Sequence, residues 1–192
     1  TKLEKVSLNT MYTIKSYAFE NCTSLKNIRG ISDISVILTG VFKNCTSLTE
    51  MDIPKGVTEI CPEAFSGCIN LSKVTLNNNL TSIYSDAFAN CTSLTSINIP
   101  ASVKLISANA FDYCSNLTDV NISNEVSDLS IESNSFYGCN KIISIYIPAG
   151  VKVPSFAIEG CGGLLNAEID EACQHLADRH RQAREVHLAK NL

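Results

Sequence analysis

The fold class this sequence predicts is an α/β repeat solenoid, and three observations predict it. All seven phenylalanines read as one position of a repeat: Phe19, Phe42, Phe65, Phe88, Phe111, Phe136 and Phe156, separated by four steps of 23 residues, one of 25 and one of 20. Seven of the nine cysteines keep the same beat, at Cys22, Cys45, Cys68, Cys91, Cys114, Cys139 and Cys161. Between them, apolar residues recur at fixed offsets. A constant period in the twenties means one supersecondary unit stacked many times, each burying its apolar face only against its neighbours. Residues 1–165 are therefore read as one solenoid of about seven repeats, the first truncated.

The clearest copy begins at Ala87 and reads AFANCTSLTSINIPASVKLISAN, after which the next begins AFDYC. Three, six and eight residues after each Cys stand apolar residues: Leu48, Met51, Ile53; Leu71, Val74, Leu76; Leu94, Ile97, Ile99; Leu117, Val120, Ile122; Ile142, Ile145, Ile147. The closing step of two is the period of a half-buried strand. Pro54, Pro100 and Pro148 follow and end that strand, because proline cannot donate to a ladder. Val57, Val103 and Val151, then Ile60 and Ile106, lie on the return path. The A-F-x-x-C segment is expected to form a short helical turn that packs Phe and Cys into the stack. Strands at this spacing must run parallel, about 4.8 Å apart. Bulkier turns on the opposite side imply an arc with a concave parallel sheet.

Some copies depart from the frame. Gly30 stands where an apolar residue belongs, so a bulge or weakened strand is expected near Arg29–Ile31. The copy with Val126, Leu129 and Ile131 carries two extra residues, and the next is shortened around Val151–Ser155, at Pro154. The chain opens at Thr1 inside a repeat and reads as a processed product or a piece of something longer.

From Asn166 the composition changes: all three histidines lie here, and Ile169, Cys173, Leu176, His180 and Ala183 follow an amphipathic helical course. Residues 166–192 are expected to form a C-terminal helix that caps the solenoid, pairs two chains as a homodimer, or belongs to a neighbouring domain. Cys161, Leu164, Ala167 and Ile169 still match the strand template, so a last rung is expected to merge into it.

Composition excludes several functions. A net charge of −4 argues against a nucleic-acid partner, which favours a basic stripe. No run of 18 apolar residues exists, which argues against membrane insertion by a spanning helix. There is no CxxC pair and no phosphate-binding glycine loop, and no cofactor or metal is expected. No histidine precedes residue 175, so a Cys or Ser nucleophile in the repeats has no nearby imidazole base. His175, His180 and His187 do not converge as metal ligands, and no enzyme is expected. The ladder cysteines read as small buried thiols, with Cys61 and Cys173 off the ladder. Seven N-x-[ST] sequons, including Asn21, Asn44, Asn90 and Asn116, read as scaffold turn residues. Candidate protein-binding residues are the outward strand positions: Arg29, Glu50, Asp52, Lys73, Asn98, Asp119 and Tyr146. Tyr and Arg are favoured in binding hot spots.

The stretch N-C-T-S-L-T-x-I-x-I-P-x-x-V-x-x-I-x-x-x-A-F resembles the BspA-type leucine-rich repeat, best at Asn44–Phe65 and Asn90–Phe111. The resemblance covers about 1–165 and implies a leucine-rich-repeat arc. It further implies an adhesin-like module at the cell surface or secreted, binding host or neighbouring-cell proteins such as extracellular matrix or plasma proteins. The alternative is a cytoplasmic scaffold or self-assembling solenoid, with the terminal helix pairing chains and the thiols left free by a reducing compartment.

Overall fold

The computed structural model describes residues 2–8, 13–148, 151–154, 156–162 and 166–169. In chain order they form β1 (Lys5–Ser7), β2 (Asn27–Arg29), β3 (Val36–Ile37), β4 (Glu50–Asp52), β5 (Glu59–Ile60), β6 (Lys73–Thr75), β7 (Ser82–Ile83), β8 (Ser96–Ile99), β9 (Leu105–Ile106), β10 (Asp119–Ile122), β11 (Ser130–Ile131), β12 (Ser144–Ile147) and β13 (Asn166–Ile169). All pairing is parallel, each strand bonding its counterpart one repeat away. The predicted parallel stack is thus present. No helix occurs among the described residues, so the α part of the expected class is not supported there. The first four residues assigned to the C-terminal helix are instead β13, paired with β12 from Ser144↔Asn166 to Ile147↔Ile169. This last rung matches the strand template read at Ala167 and Ile169. The rest of the expected helix lies outside the described residues.

Each rung contributes to three ladders. The first comprises the three- and four-residue strands at the L-x-x-I-x-I motif. Their burial alternates, as in β8, where Ile97 and Ile99 are buried and Ser96 and Asn98 are exposed. This face falls into three sheets, β1-β2, β4-β6 and β8-β10-β12-β13. The first break follows the predicted irregularity. Gly30 has φ +78°, and a Cβ there would lie 1.9 Å from the Leu8 carbonyl oxygen. The chain bulges at this glycine and turns Ile31 inward, so the buried apolar side chain comes one residue later than in other rungs.

The second ladder lies on the return path and was not foreseen as a sheet. Strands β3, β5, β7, β9 and β11 pair in sequence, with Ile37, Ile60, Ile83, Ile106 and Ile131 in register and buried.

The third ladder is the A-F-x-x-C segment, which corrects the expected helical turn. Two residues per rung take left-handed backbone, four apart, as at Glu63 and Gly67 or Asp86 and Asn90. Alternate amides then point along the stack: Glu63, Phe65 and Gly67 donate to the carbonyls of Ser85, Ala87 and Ala89. The amides between them close turns within the rung, as Ala64 to Cys61 and Ser66 to Glu63. A helix would direct every one of these amides back into its own turn and leave the neighbouring rung unbonded. Asn and Gly dominate the left-handed sites because they tolerate that conformation best.

The core is repetitive. Phe19, Phe42, Phe65, Phe88, Phe111 and Phe136 form a continuous ring stack, with centroids 5.1 to 5.7 Å apart and planes within 17°. The spacing is that of favourable aromatic pairs. Phe156 departs from the assigned position: it is 55% exposed, and Ile158 fills the buried slot. The sequence carried this signal. Six phenylalanines precede their ladder Cys by three residues, whereas Phe156 precedes Cys161 by five. The cysteines explain themselves by hydrogen bonding. The Sγ of Cys45, Cys68, Cys91, Cys114, Cys139 and Cys161 each donates to the Phe carbonyl of the preceding rung, at 3.1 to 3.3 Å. The same Phe carbonyl already accepts the amide of its own rung's Cys, as Phe65 does from Cys68. A thiol is small, apolar enough to be buried and still a donor. Asn and Thr repeat the theme at turns, as Asn44 to Asn21, Thr46 to Thr23 and Thr81 to Thr58. Sequon asparagines 21 and 44 are scaffold residues of this kind.

Candidate functional site: the strand face

In β1, β2, β4, β6, β8 and β10 the second residue is turned towards the core and the residues on either side of it face solvent. The register aligns the outward residues into two columns. On β4 and β6, Glu50 stands beside Lys73 and Asp52 beside Thr75. On β8, β10 and β12, Ser96, Asp119 and Ser144 share one column, and Asn98, Asn121 and Tyr146 the other. All seven residues proposed from sequence, Arg29, Glu50, Asp52, Lys73, Asn98, Asp119 and Tyr146, are exposed on these strands. The break after β2 separates Arg29 from Glu50 and Asp52, and the break after β6 separates Lys73 from Asn98.

The face is chemically divided. Its N-terminal part, on β1 to β6, carries Lys5, Arg29, Glu50, Asp52 and Lys73. Its C-terminal part carries Asn98, Asn121 and Tyr146 with Asp119. Among the described residues the ion pairs are Lys26–Glu4 and Lys43–Glu63, and neither uses Arg29, Glu50, Asp52 or Lys73. These four charges are therefore available to a partner. Asn98 Oδ1 accepts from Asn121 Nδ2 at 3.0 Å, and Asp119 accepts from the Thr118 hydroxyl. Below the C-terminal part lies an open cleft of about 550 Å³ that involves Asn78, Ser102 and Glu125. Sequence reasoning missed it, because its walls come from turns of different rungs and carry no motif.

Other faces carry charge for structural reasons. Glu63 and Asp86 occupy the same position of successive turns, and Asp112 lies on the next turn, three residues beyond the equivalent Asn109. Burial pushes the Asp86 and Asp112 carboxyls up, and the neighbouring carboxylates Glu63 and Asp86, respectively, add to the shift. Burial likewise raises the Cys45 thiol to about 12, and those of Cys68, Cys91, Cys114 and Cys161 upward. At Cys139 the hydrogen bond with Cys114 leads, with burial second. Such thiols are poor nucleophiles, since the thiolate is the reactive form. Among the described residues no cluster of three metal-ligating side chains occurs, and no helix is long and apolar enough to cross a membrane. His175, His180, His187 and Cys173 lie outside the described residues.

The comparisons with known proteins agree with this architecture. The model for the BspA type leucine rich repeat region matches in 6 copies, over residues 1–118 and 35–165. No curated protein matches the chain. Among solved structures, the leucine-rich repeat protein of T. pallidum (TpLRR) is similar with a TM-score of 0.70 and 27% identity, over 96% of this chain and 84% of that one. A leucine-rich repeat protein of Eubacterium ventriosum is 32% identical with a TM-score of 0.52, over 57% of this chain and 30% of that one. One from Bacteroides ovatus shares the fold at 23% identity and a TM-score of 0.59, over 86% and 55%. Leucine-rich repeat proteins are generally protein-interaction modules and typically not enzymes. The six repeat matches, together with the Phe and Cys ladders, place this chain in the BspA-type leucine-rich repeat family.

Proposed function

We propose that this chain is a non-enzymatic, adhesin-like recognition module that binds host or neighbouring-cell proteins through its strand face. The observation that carries this reading is the set of unpaired charges on β2, β4 and β6, held on backbone ladders. The backbone beneath these side chains is preorganised, so no backbone ordering is required on binding. Arg29, Glu50, Asp52 and Lys73 supply steering and specificity, and Tyr146 supplies an aromatic anchor. A cell-surface or secreted setting follows from the family resemblance, and protein ligands of the extracellular matrix or plasma are the first to try.

The scaffold alternative draws no particular support from free thiols. The ladder thiols are buried and donate to carbonyls, so packing explains their state without reference to compartment.

The test is binding of the purified chain to a panel of matrix and plasma proteins, with the triple variant Arg29→Glu, Glu50→Lys, Asp52→Lys as control. Saturable binding lost in the variant is the expected result. Binding that survives the variant moves the site off this face. No binding to any member of the panel favours the scaffold.

A further inference from the structure

The geometry points to a second site, for a neutral, hydroxyl-rich ligand such as a terminal sugar of a glycan, in the cleft at the C-terminal end of the strand face. The inference rests on the strand face being a binding surface, but it uses different residues from the charged part.

The lining groups decide the ligand class. Asn78, Asn98, Asn121, Ser102 and Glu125 line the cleft, with Pro100 and Ala101 among the apolar members. No Lys or Arg lines it, so nothing there would hold a phosphate or carboxylate. The apolar members are small or belong to the strand ends, so the cleft does not offer the continuous greasy wall a lipid chain needs. What it offers is amide and hydroxyl groups with unspent hydrogen-bonding capacity. Asn121 Nδ2 donates to Asn98 Oδ1, a bond that does not use Asn98 Nδ2 or Asn121 Oδ1. Ser102 Oγ is covered by the protein, so Ser102 shapes the wall and does not itself bond the ligand. Glu125 adds a carboxylate that can accept from two neighbouring hydroxyls.

Tyr146 completes the arrangement. It stands outside the cleft lining, but it pairs in register with Asn121 one rung away, about 4.8 Å along the stack, and is exposed, so a ligand that fills the cleft and overhangs the next rung meets it. An aromatic face beside converging polar groups suits the C–H face of a sugar ring. The volume of about 550 Å³ falls within the ~300–1,000 Å³ of small-ligand sites. An extended peptide fits less well. Its same-facing residues repeat at roughly 6.8 Å, whereas the columns repeat at about 4.8 Å, so successive contacts along a column fall out of step.

The experiment is saturation-transfer NMR on the whole chain with the methyl glycosides of glucose, galactose, mannose and N-acetylglucosamine. Each is added at about 10 mM, well above the ~1 mM dissociation constant of a weak ligand. A blocked tetra-alanine peptide is run alongside. The expected result is transfer to at least one glycoside, abolished in Asn121→Ala and reduced several-fold in Tyr146→Ala, with the melting curves of both variants unchanged because both residues are exposed. Transfer that persists in both variants overturns the site. Transfer to none of the glycosides, or to the peptide instead of them, overturns the ligand class. The Arg29, Glu50, Asp52 reversal leaves sugar transfer intact, so failure of the protein-recognition reading and failure of this one are separately visible.

Discussion

At the scale of single residues, the stack rests on side chains that serve the neighbouring rung as much as their own. Phe88 is fully buried and stacked on Phe65 and Phe111. Replacing it with Ala is expected to cost about 3–5 kcal/mol, read as a lower denaturant midpoint in urea unfolding. The cysteines give two further predictions. Native ladder thiols at neutral pH should resist alkylation, and Cys61, part-exposed, should be the described cysteine that labels first. Mass spectrometry after alkylation, with and without denaturant and with no reductant, checks this. Stability should also fall on the alkaline side. The folded pKa of Cys45 is raised from 9.0 to about 12. Its neutral thiol therefore supports the fold fully below the unfolded pKa near 9. That support is lost as pH rises towards 12, at about 1.4 kcal/mol per pH unit for each such thiol. Urea midpoints measured between pH 8 and pH 11 test the sign, with Cys45→Val expected to flatten the slope.

At the scale of elements, legibility followed periodicity. The strands of the first ladder were readable because L-x-x-I-x-I recurs with period 2 and its register is fixed by burial. Gly30 announced the first break, and the structure places one there. Its left-handed backbone and the closeness of the Leu8 carbonyl leave no room for a side chain. Gly30→Ala is expected to cost about 1–3 kcal/mol, and hydrogen exchange at β1 and β2 should accelerate before the rest of the molecule responds. The second sheet was less legible because its strands are two residues long, too short for alternation to show. The A-F-x-x-C segment misled for a related reason. Apolar residues three apart suit a helical turn, yet pairs of left-handed residues four apart turn alternate amides outward to the next rung. Asn and Gly at those positions were the available clue. Phe156 shows the limit of counting one residue type: Cys161 keeps the beat better, and the F-x-x-C spacing identifies Ile158 as the true occupant. The outward residues of the candidate face could be named from the strand pattern alone. The cleft could not, since Ser102 and Glu125 reach it from turns that only the stacking brings together.

At the scale of the whole molecule, scaffold and surface are separable. Almost everything repeated in the sequence points inward or along the stack, where it bonds the next rung. What varies from copy to copy stands on the outward columns of the strand face, charged towards one end and amide-rich towards the other. A rigid ladder that carries variable side chains suits recognition, the general role of leucine-rich repeat proteins. Surface charges on this face should therefore change binding and leave folding nearly untouched, since exposed substitutions away from caps and buried networks stay within about ±0.5 kcal/mol. Charge changes at exposed positions elsewhere on the solenoid should leave both binding and folding nearly unchanged.

The most direct measurement compares two variants with equal change in charge. Glu50→Lys with Asp52→Lys alters the strand face, and Asp128→Lys with Glu159→Lys alters exposed positions off it. Both are titrated against a protein ligand captured from the matrix and plasma panel. Loss of affinity of tenfold or more in the first variant, with the second equal to the parent chain and all three melting alike, is the predicted result. Equal affinity in the first variant, or loss confined to the second, would contradict the assignment of recognition to the strand face.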